Sequence, residues 1–378
     1  MPIVKEVYLC TCINQKFKKM KKNLQNALLL AMGLMTTVTF AQDWNVDSRT
    51  RMDMSEAVNG EGYKSTDQRV TLGATWGGSD WGIHVSSDVN YTLGGAAASM
   101  GIYEAYASAD LMGYASVTAG RQAINNGSGA LMSSNDWATS RTTWDGMTFN
   151  LGLDMADISV GYASMNTGAD ALGAATDDNG NMWVNASGEF SGWNVNMLYM
   201  TQSGVTDAAG TAASDNAATG IDISGEVMGA GVSASMNTDW EGDDMRVIGL
   251  SYAVNDDMGV NVSQTVYSEA DVVAGLDGFS MAGTNMSGGY ANSGNLGYLN
   301  AGDEDLSYGL TYNMAGISMA ATMHNISNSV DATIDRSVTE ISLGYSLGDN
   351  ASISYTMATD NDGTVDTKYN WLTLTVTP

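Results

Sequence analysis

Trp193-Asn194-Val195-Asn196-Met197-Leu198-Tyr199 carries an apolar side chain at every odd position, and Leu306-Ser307-Tyr308-Gly309-Leu310-Thr311-Tyr312 carries one at every even position. Alternation of period two places the two sets on opposite faces of a strand. Short runs of this kind recur from Trp44 to Val376, and no proline stands between Pro2 and Pro378. Proline removes a ladder donor and is tolerated mainly at sheet edges. Strand and turn continued for roughly 330 residues without one imply a sheet that has no edge, which is a closed barrel.

Read strand by strand, the alternation predicts strands at 43–55, 67–76, 81–93, 102–111, 114–122, 145–153, 158–165, 182–190, 193–201, 219–227, 230–240, 246–254, 258–267, 306–314, 317–325, 338–347, 351–358 and 369–376. That makes 18 strands, with 16 the next count considered. Tight turns are expected at Gly77–Asp80, Met112-Gly113, Asp154–Asp157, Ser191-Gly192, Met228–Ala230, Asn255–Asp257, Ala315-Gly316 and Gly348–Asn350. Between them lie mostly longer connections, among them 123–144, 166–181, 202–218 and 268–305. Tight turns on one side and long loops on the other are the arrangement of transmembrane antiparallel up-and-down barrels, whose tight turns face the periplasm.

The front of the chain reads differently. Lys18, Lys19, Lys21 and Lys22 precede the apolar run Ala27–Met35, and small residues follow at Thr39 and Ala41. This is the order of a cleaved secretory signal peptide, too short in its apolar run to span a bilayer as a helix, which takes about 20 residues. We read residues 1–41 as signal peptide with an N-terminal extension, Met20 as the true start, and 42–378 as the barrel of an exported outer-membrane protein of a Gram-negative cell. Both cysteines, Cys10 and Cys12, fall in the leader. So do six of the 15 basic residues and one of the 42 acidic ones, leaving a mature net charge of about −32. So acidic a chain excludes nucleic acid as a partner, because phosphate binding needs a basic face. The expected partners are outer-membrane lipid and small polar or charged solutes. A homo-oligomer and a single copy both stay open.

A soluble sandwich would turn its apolar faces inward and blunt its edges with proline and charge. Here charged residues are scarce at 15%, and the apolar parity is rich in Trp, Tyr, Met and Val. Trp44, Trp76, Trp81, Tyr91, Trp193, Trp240 and Trp371 fall near strand ends, as aromatic girdles at two lipid interfaces require. Met52, Met54, Met197, Met319 and Met323 take lipid-facing positions.

Parity then assigns the charges. With Trp44, Val46, Met52 and Met54 outward, Asp47, Arg49, Arg51 and Asp53 point inward. The same reasoning places Arg69, His84, Asp88, Asn90, Glu104, Asp110, Asp222 and Glu226 inside, with Tyr103 outside. Five of the seven mature arginines, Arg49, Arg51, Arg69, Arg121 and Arg141, lie in the first third of the chain. Consecutive strands are neighbours in an up-and-down barrel, so these arginines would line one wall, with acidic residues prevailing elsewhere. For Arg121 the parity is ambiguous, since Val117 and Ala119 share it. Opposed charge across a narrow passage makes a transverse field that orients polar solutes. The plainer alternative is that Arg49 and Arg51 neutralise Asp47 and Asp53. The connection from Ala123 to Thr143, with Asn125-Asn126-Gly127, Trp137 and Arg141, either folds into the barrel as a constriction or extends outward.

Tyr103-Glu104-Ala105-Tyr106, Gly120-Arg121-Gln122, Asn125 to Gly127 and Trp144-Asp145-Gly146 together resemble the alginate-export-type and related 18-stranded substrate-selective porins. The resemblance covers about 45 residues and implies a passive channel with an arginine-rich passage. The chain departs from that family in its few basic residues and in its ending, Val376-Thr377-Pro378, without a terminal aromatic.

Other chemistry is thin. Two histidines, His84 and His324, leave little for a barrel hydrolase. The acidic stretches Asp177-Asp178, Glu241–Asp244, Asp303–Asp305 and Asp360–Gly363 lack a full calcium-loop spacing. No phosphate-binding loop occurs, and no catalytic residue, metal or cofactor is expected. The expectation is an outer-membrane porin. A non-conducting barrel with adhesive acidic loops is the alternative.

Overall fold

The computed structural model describes residues 41–55, 65–95, 97–134, 136, 141–164, 180–203, 216–240, 242–268, 302–333 and 335–377. The expected leader up to residue 40, Trp137, Asp177-Asp178, Glu241 and most of 268–305 lie outside them, while Ala41 already belongs to the first strand. Chain contacts divide the molecule at Ala41/Gln42, and the barrel occupies the second unit.

Eighteen strands form one sheet. They are β1 (Ala41–Asp53), β2 (Ser65–Gly77), β3 (Trp81–Thr92), β4 (Ala98–Asp110), β5 (Ser116–Gln122) and β6 (Trp144–Gly152). Then come β7 (Asp157–Ser164), β8 (Gly180–Phe190), β9 (Trp193–Ser203), β10 (Asn216–Val227), β11 (Ala230–Thr238) and β12 (Asp244–Ala253). The last six are β13 (Met258–Tyr267), β14 (Asp303–Met314), β15 (Ile317–Asn328), β16 (Asp335–Ser346), β17 (Ala351–Asn361) and β18 (Asp366–Val376). Each pairs antiparallel with its sequence neighbours, and β1 closes on β18 from Ser48↔Val376 to Asp53↔Trp371. The sheet therefore has no edge. Among the described residues there is no helix.

Every tight turn expected from sequence joins a strand pair at one end of the barrel, and the longer connections gather at the other. Four of these turns are two-residue X-Gly pairs in which both residues have positive φ: Met112-Gly113, Ser191-Gly192, Met228-Gly229 and Ala315-Gly316. Two such residues in succession define a type I′ turn, whose twist matches that of the strands it joins.

Burial is inverted relative to a soluble protein. Leu72, Ile83, Val85, Met197, Tyr199, Ile248, Leu250, Tyr308 and Leu310 are exposed on the outer face, while Thr71, Asp88, Asn185, Ser235, Thr265 and Ser307 are buried on the inner one. In β9 the predicted division holds: Met197 is 51% exposed, and Asn196 accepts a hydrogen bond from Asn185 inside. Trp44, Trp81 and Tyr91 face outward as girdle residues should.

Two of the expected girdle aromatics do not. Trp240 and Trp371 are buried. Trp240 packs with Leu198, Met200 and Met245, and Trp371 with Ile326, Val338 and Ala358. Both lie near the long-loop end, where inward apolar side chains find a dry surface instead of water.

Candidate functional site: a loop across the lumen

The described part of the connection from Ala123 to Thr143, residues 123–134, 136 and 141–143, lies inside the barrel, which favours the constriction alternative. Glu104 Oε1 accepts a hydrogen bond from the amide of Ala123 at 3.1 Å, where the chain leaves β5. Asn125 Oδ1 then accepts from the Ser134 amide at 2.7 Å, and Asn126 bridges to Met132. The Asn125–Gly127 motif thus closes a small hairpin whose tip reaches the far wall. There the Ser128 amide donates to Asp222 Oδ2 at 2.9 Å, and Ser235 donates to Asp222 Oδ1 at 2.5 Å. Gly127 has φ +57°, and a Cβ there would collide with the Asp222 carboxylate, so this approach needs glycine.

Behind the tip, Leu131 is 1% exposed and packs with Met132 among the inward side chains of Trp144, Trp183, Leu198, Met200, Ala218 and Met245. Gly161 makes room for the Trp183 ring. Burying a Leu or Met side chain stabilises by about 1.5–3 kcal/mol, so this cluster is a firm foothold.

The return of the loop meets the arginines. Arg141 grips Asp88 through Nε (3.1 Å) and Nη2 (2.5 Å), and both side chains are only 8% exposed. Arg141 Nη2 also donates to Thr71 Oγ1 at 3.0 Å, and its guanidinium lies 3.3 Å over the ring of Tyr103. Arg49 and Arg69 each donate through Nη1 to the main-chain oxygen of Asp136, at 2.6 and 3.1 Å.

Tyr103 was expected outside. A register shift pairs Ser86 with Glu104 but Ser87 with Ile102, leaving Tyr103 as the extra residue of a β-bulge in β4. The bulge sends Tyr103 and Glu104 both toward the lumen. His84 completes the region, stacked on Tyr106 with centroids 5.0 Å apart and hydrogen-bonded to Thr75.

The other predicted lining residues divide. Arg51 lies on the inner parity of β1 near Asp53 and Asp67, and Glu226 on the inner parity of β10 near the tight-turn end. Asp110 lies at the rim, where its carboxylate accepts from the Gly113 amide and caps the turn. Arg121 faces outward. It forms a bidentate pair with Asp145, 2.7 and 2.6 Å, on the face that carries Met147 and Phe149. Gly120↔Gly146, Arg121↔Asp145 and Gln122↔Trp144 are direct cross-strand partners, so the two halves of the motif build one another. Among the described residues, the cations off the lumen are Arg121, Arg246 and Lys368, all on the outer parity within three residues of a strand's loop end.

Residues that sequence reasoning did not single out include Thr71, Ser128, Leu131, Met132 and Asp136. Thr71 shares the parity of Arg69 and was findable. The loop residues carry no periodic signal.

Below the loop tip lies a cavity of about 670 Å³ bordered by Glu189, Asp222 and Asp157 with Asn194, Asn196 and Ser224, and among the described residues no basic one lines it. Across the loop-end lumen, His324 Nδ1 lies 2.7 Å from Asp305, and Arg336 holds Asp360 bidentately. Asp303 accepts from Asn328. Of the acidic stretches, Asp362 is closed into its own turn. Hydrogen bonds from the Thr364 hydroxyl and from the Val365 and Thr364 amides hold its carboxyl below the usual carboxylate range. Among the described residues, no group of three or more His, Cys, Asp or Glu is arranged to hold a metal ion.

Fold and site together define a closed 18-stranded antiparallel barrel whose lumen is crossed by an inward loop. Crystal structures of similar architecture include Pseudomonas aeruginosa OccK11 (OpdR), with a TM-score of 0.66 at 13% identity over 89% of this chain and 95% of that one. Acinetobacter baumannii OccAB2 gives 0.67 at 13% over 89% and 98%, and Pseudomonas aeruginosa OprD gives 0.62 at 10% over 91% and 97%. At such identities the likeness is one of fold. No family model and no curated protein sequence matches the chain.

Proposed function

We propose that this chain is an outer-membrane porin that lets small hydrophilic solutes or ions diffuse passively through a charged, loop-narrowed lumen. The observation that carries the reading is the inversion of burial in a closed barrel. An apolar outer band needs lipid, and an inner face of Ser, Asn, Asp and Arg needs water. The solved structures named above are Occ/OprD outer-membrane porins, which supports the same reading. The N-terminal export signal, with Met20 as start, belongs to this proposal, because outer-membrane barrels must cross the inner membrane first.

The arginine cluster near β1–β3 and the acid-lined cavity near β8–β11 put opposite charge on opposite walls, a field that orients dipolar solutes. Inward carboxylates exceed inward arginines, so potassium should permeate ahead of chloride. That surplus also disfavours a polyanion such as alginate, so of the sequence resemblance we keep the substrate-selective 18-stranded class. A purely adhesive barrel would not need a lumen loop fastened at both walls.

Purified protein in planar bilayers should give stepwise conductance, with a reversal potential of potassium-selective sign in a salt gradient. Absence of steps would sink the channel reading and favour adhesion.

A further inference from the structure

Resting on that channel reading, we propose that Arg49, Arg69 and Arg141 are positioning residues. They set the bore by pinning the returning loop segment, and so are not a free guanidinium filter. Their partners are the ground for this. Arg141 has four of its five N–H groups engaged, two on Asp88, one on Thr71 and one on Asp136 Oδ1 at 3.5 Å. One face of its guanidinium is covered by Tyr103. Little of it is left for a passing anion. Arg49 and Arg69, from two adjacent strands, converge on a single main-chain oxygen, that of Asp136. A filter has no reason to aim two cations at a loop carbonyl, whereas a clamp does.

The backbone is adapted to the same end. The β4 bulge puts Tyr103 beneath Arg141 and Glu104 on the Ala123 amide, so one irregularity serves both the root and the return of the loop. The opposite wall holds the loop by Leu131, Met132 and the Ser128–Asp222 bond. The arginine side is the ionic foothold, and its geometry depends on a planar fork. Lysine keeps the charge but is a point donor: at 141 it cannot span a carboxylate bidentately while stacked on a ring, and at 49 and 69 its ammonium ends one bond short of the Nη1 that reaches the Asp136 oxygen.

Charge-conserving variants therefore separate bore from charge. Arg141→Lys, and Arg49→Lys with Arg69→Lys as a second variant, are reconstituted in planar bilayers. The readings are single-channel conductance, the size limit for entry of neutral polyethylene glycols, and the reversal potential in a salt gradient. We expect about a two-fold rise in conductance and entry of larger polymers, with the reversal potential unchanged. Heat-modified gel mobility reports whether each barrel is folded, and if Arg141→Lys is not, the double variant decides. Unchanged conductance and polymer limit in a folded variant overturns the clamp while leaving the porin reading intact. A wild-type protein without conductance steps defeats the porin reading itself.

Discussion

A guanidinium in this barrel is defined by what it touches. Arg121 and Arg141 are 20 positions apart and chemically identical, yet one lies on the outer face, 40% exposed beside Asp145, and the other is locked in the lumen on Asp88. Exposed pairs contribute roughly 0–1 kcal/mol, whereas breaking a buried pair costs about 3–5 kcal/mol. Arg121→Ser should accordingly leave conductance and reversal potential at wild-type values and lower unfolding stability by no more than about 1 kcal/mol. A shifted reversal potential would put Arg121 back on the conduction path. Strand parity is the reason Arg49, Arg51, Arg69, Asp88, Asp222 and Glu226 share the inner face of their strands, because period two is a property of the strand alone. It failed at Tyr103, since a bulge adds one residue without any signature in residue type. For Arg121, small and apolar neighbours on both parities left no contrast to read.

At the scale of elements, twelve of the eighteen strands run further toward the long loops than alternation showed, while β1, β3, β7 and β11 stop short of their expected loop-side ends. β14 begins at Asp303 where 306 was expected, β18 at Asp366 where 369 was expected, and β17 continues to Asn361 where 358 was expected. Above the lipid both faces of a strand are wet, so the apolar parity fades while the hydrogen-bond ladder goes on. The turns at the other end were legible because a two-residue hairpin demands glycine. The residue before that glycine is strained: Met228 has φ +54° with a side chain in open solvent. Asparagine tolerates this region far better than methionine. Met228→Asn should therefore raise stability by about 0.5–1 kcal/mol, read from urea unfolding in lipid vesicles. A loss of stability would mean that the Met228 side chain makes a contact the turn geometry hides.

At the scale of the whole barrel, the proposed function sets a closed sheet between lipid on its outer face and water plus a loop on its inner one. The two faces can be told apart with one basic substitution at each of two adjacent positions. Leu250→Arg on the outer face of β12 should cost about 2–4 kcal/mol in a bilayer. Ser251→Arg on the inner face should cost less than about 1 kcal/mol and shift ion selectivity toward anions. Equal costs at the two positions would contradict the membrane orientation.

Sequence alone pointed to the barrel, its closure, 18 staves ahead of 16, and the lipid-facing parity of the staves with clear alternation. These follow from period two, from glycine at tight turns and from the absence of proline, all of them local properties. Only the tertiary structure decided that residues 123–134 enter the lumen, that Trp240 and Trp371 turn inward, and which arginines meet the loop at Asp136. The reason is physical: those outcomes depend on contacts between residues far apart in the chain, such as Ser128 with Asp222 and Arg49 with Asp136, and no local pattern encodes such a meeting.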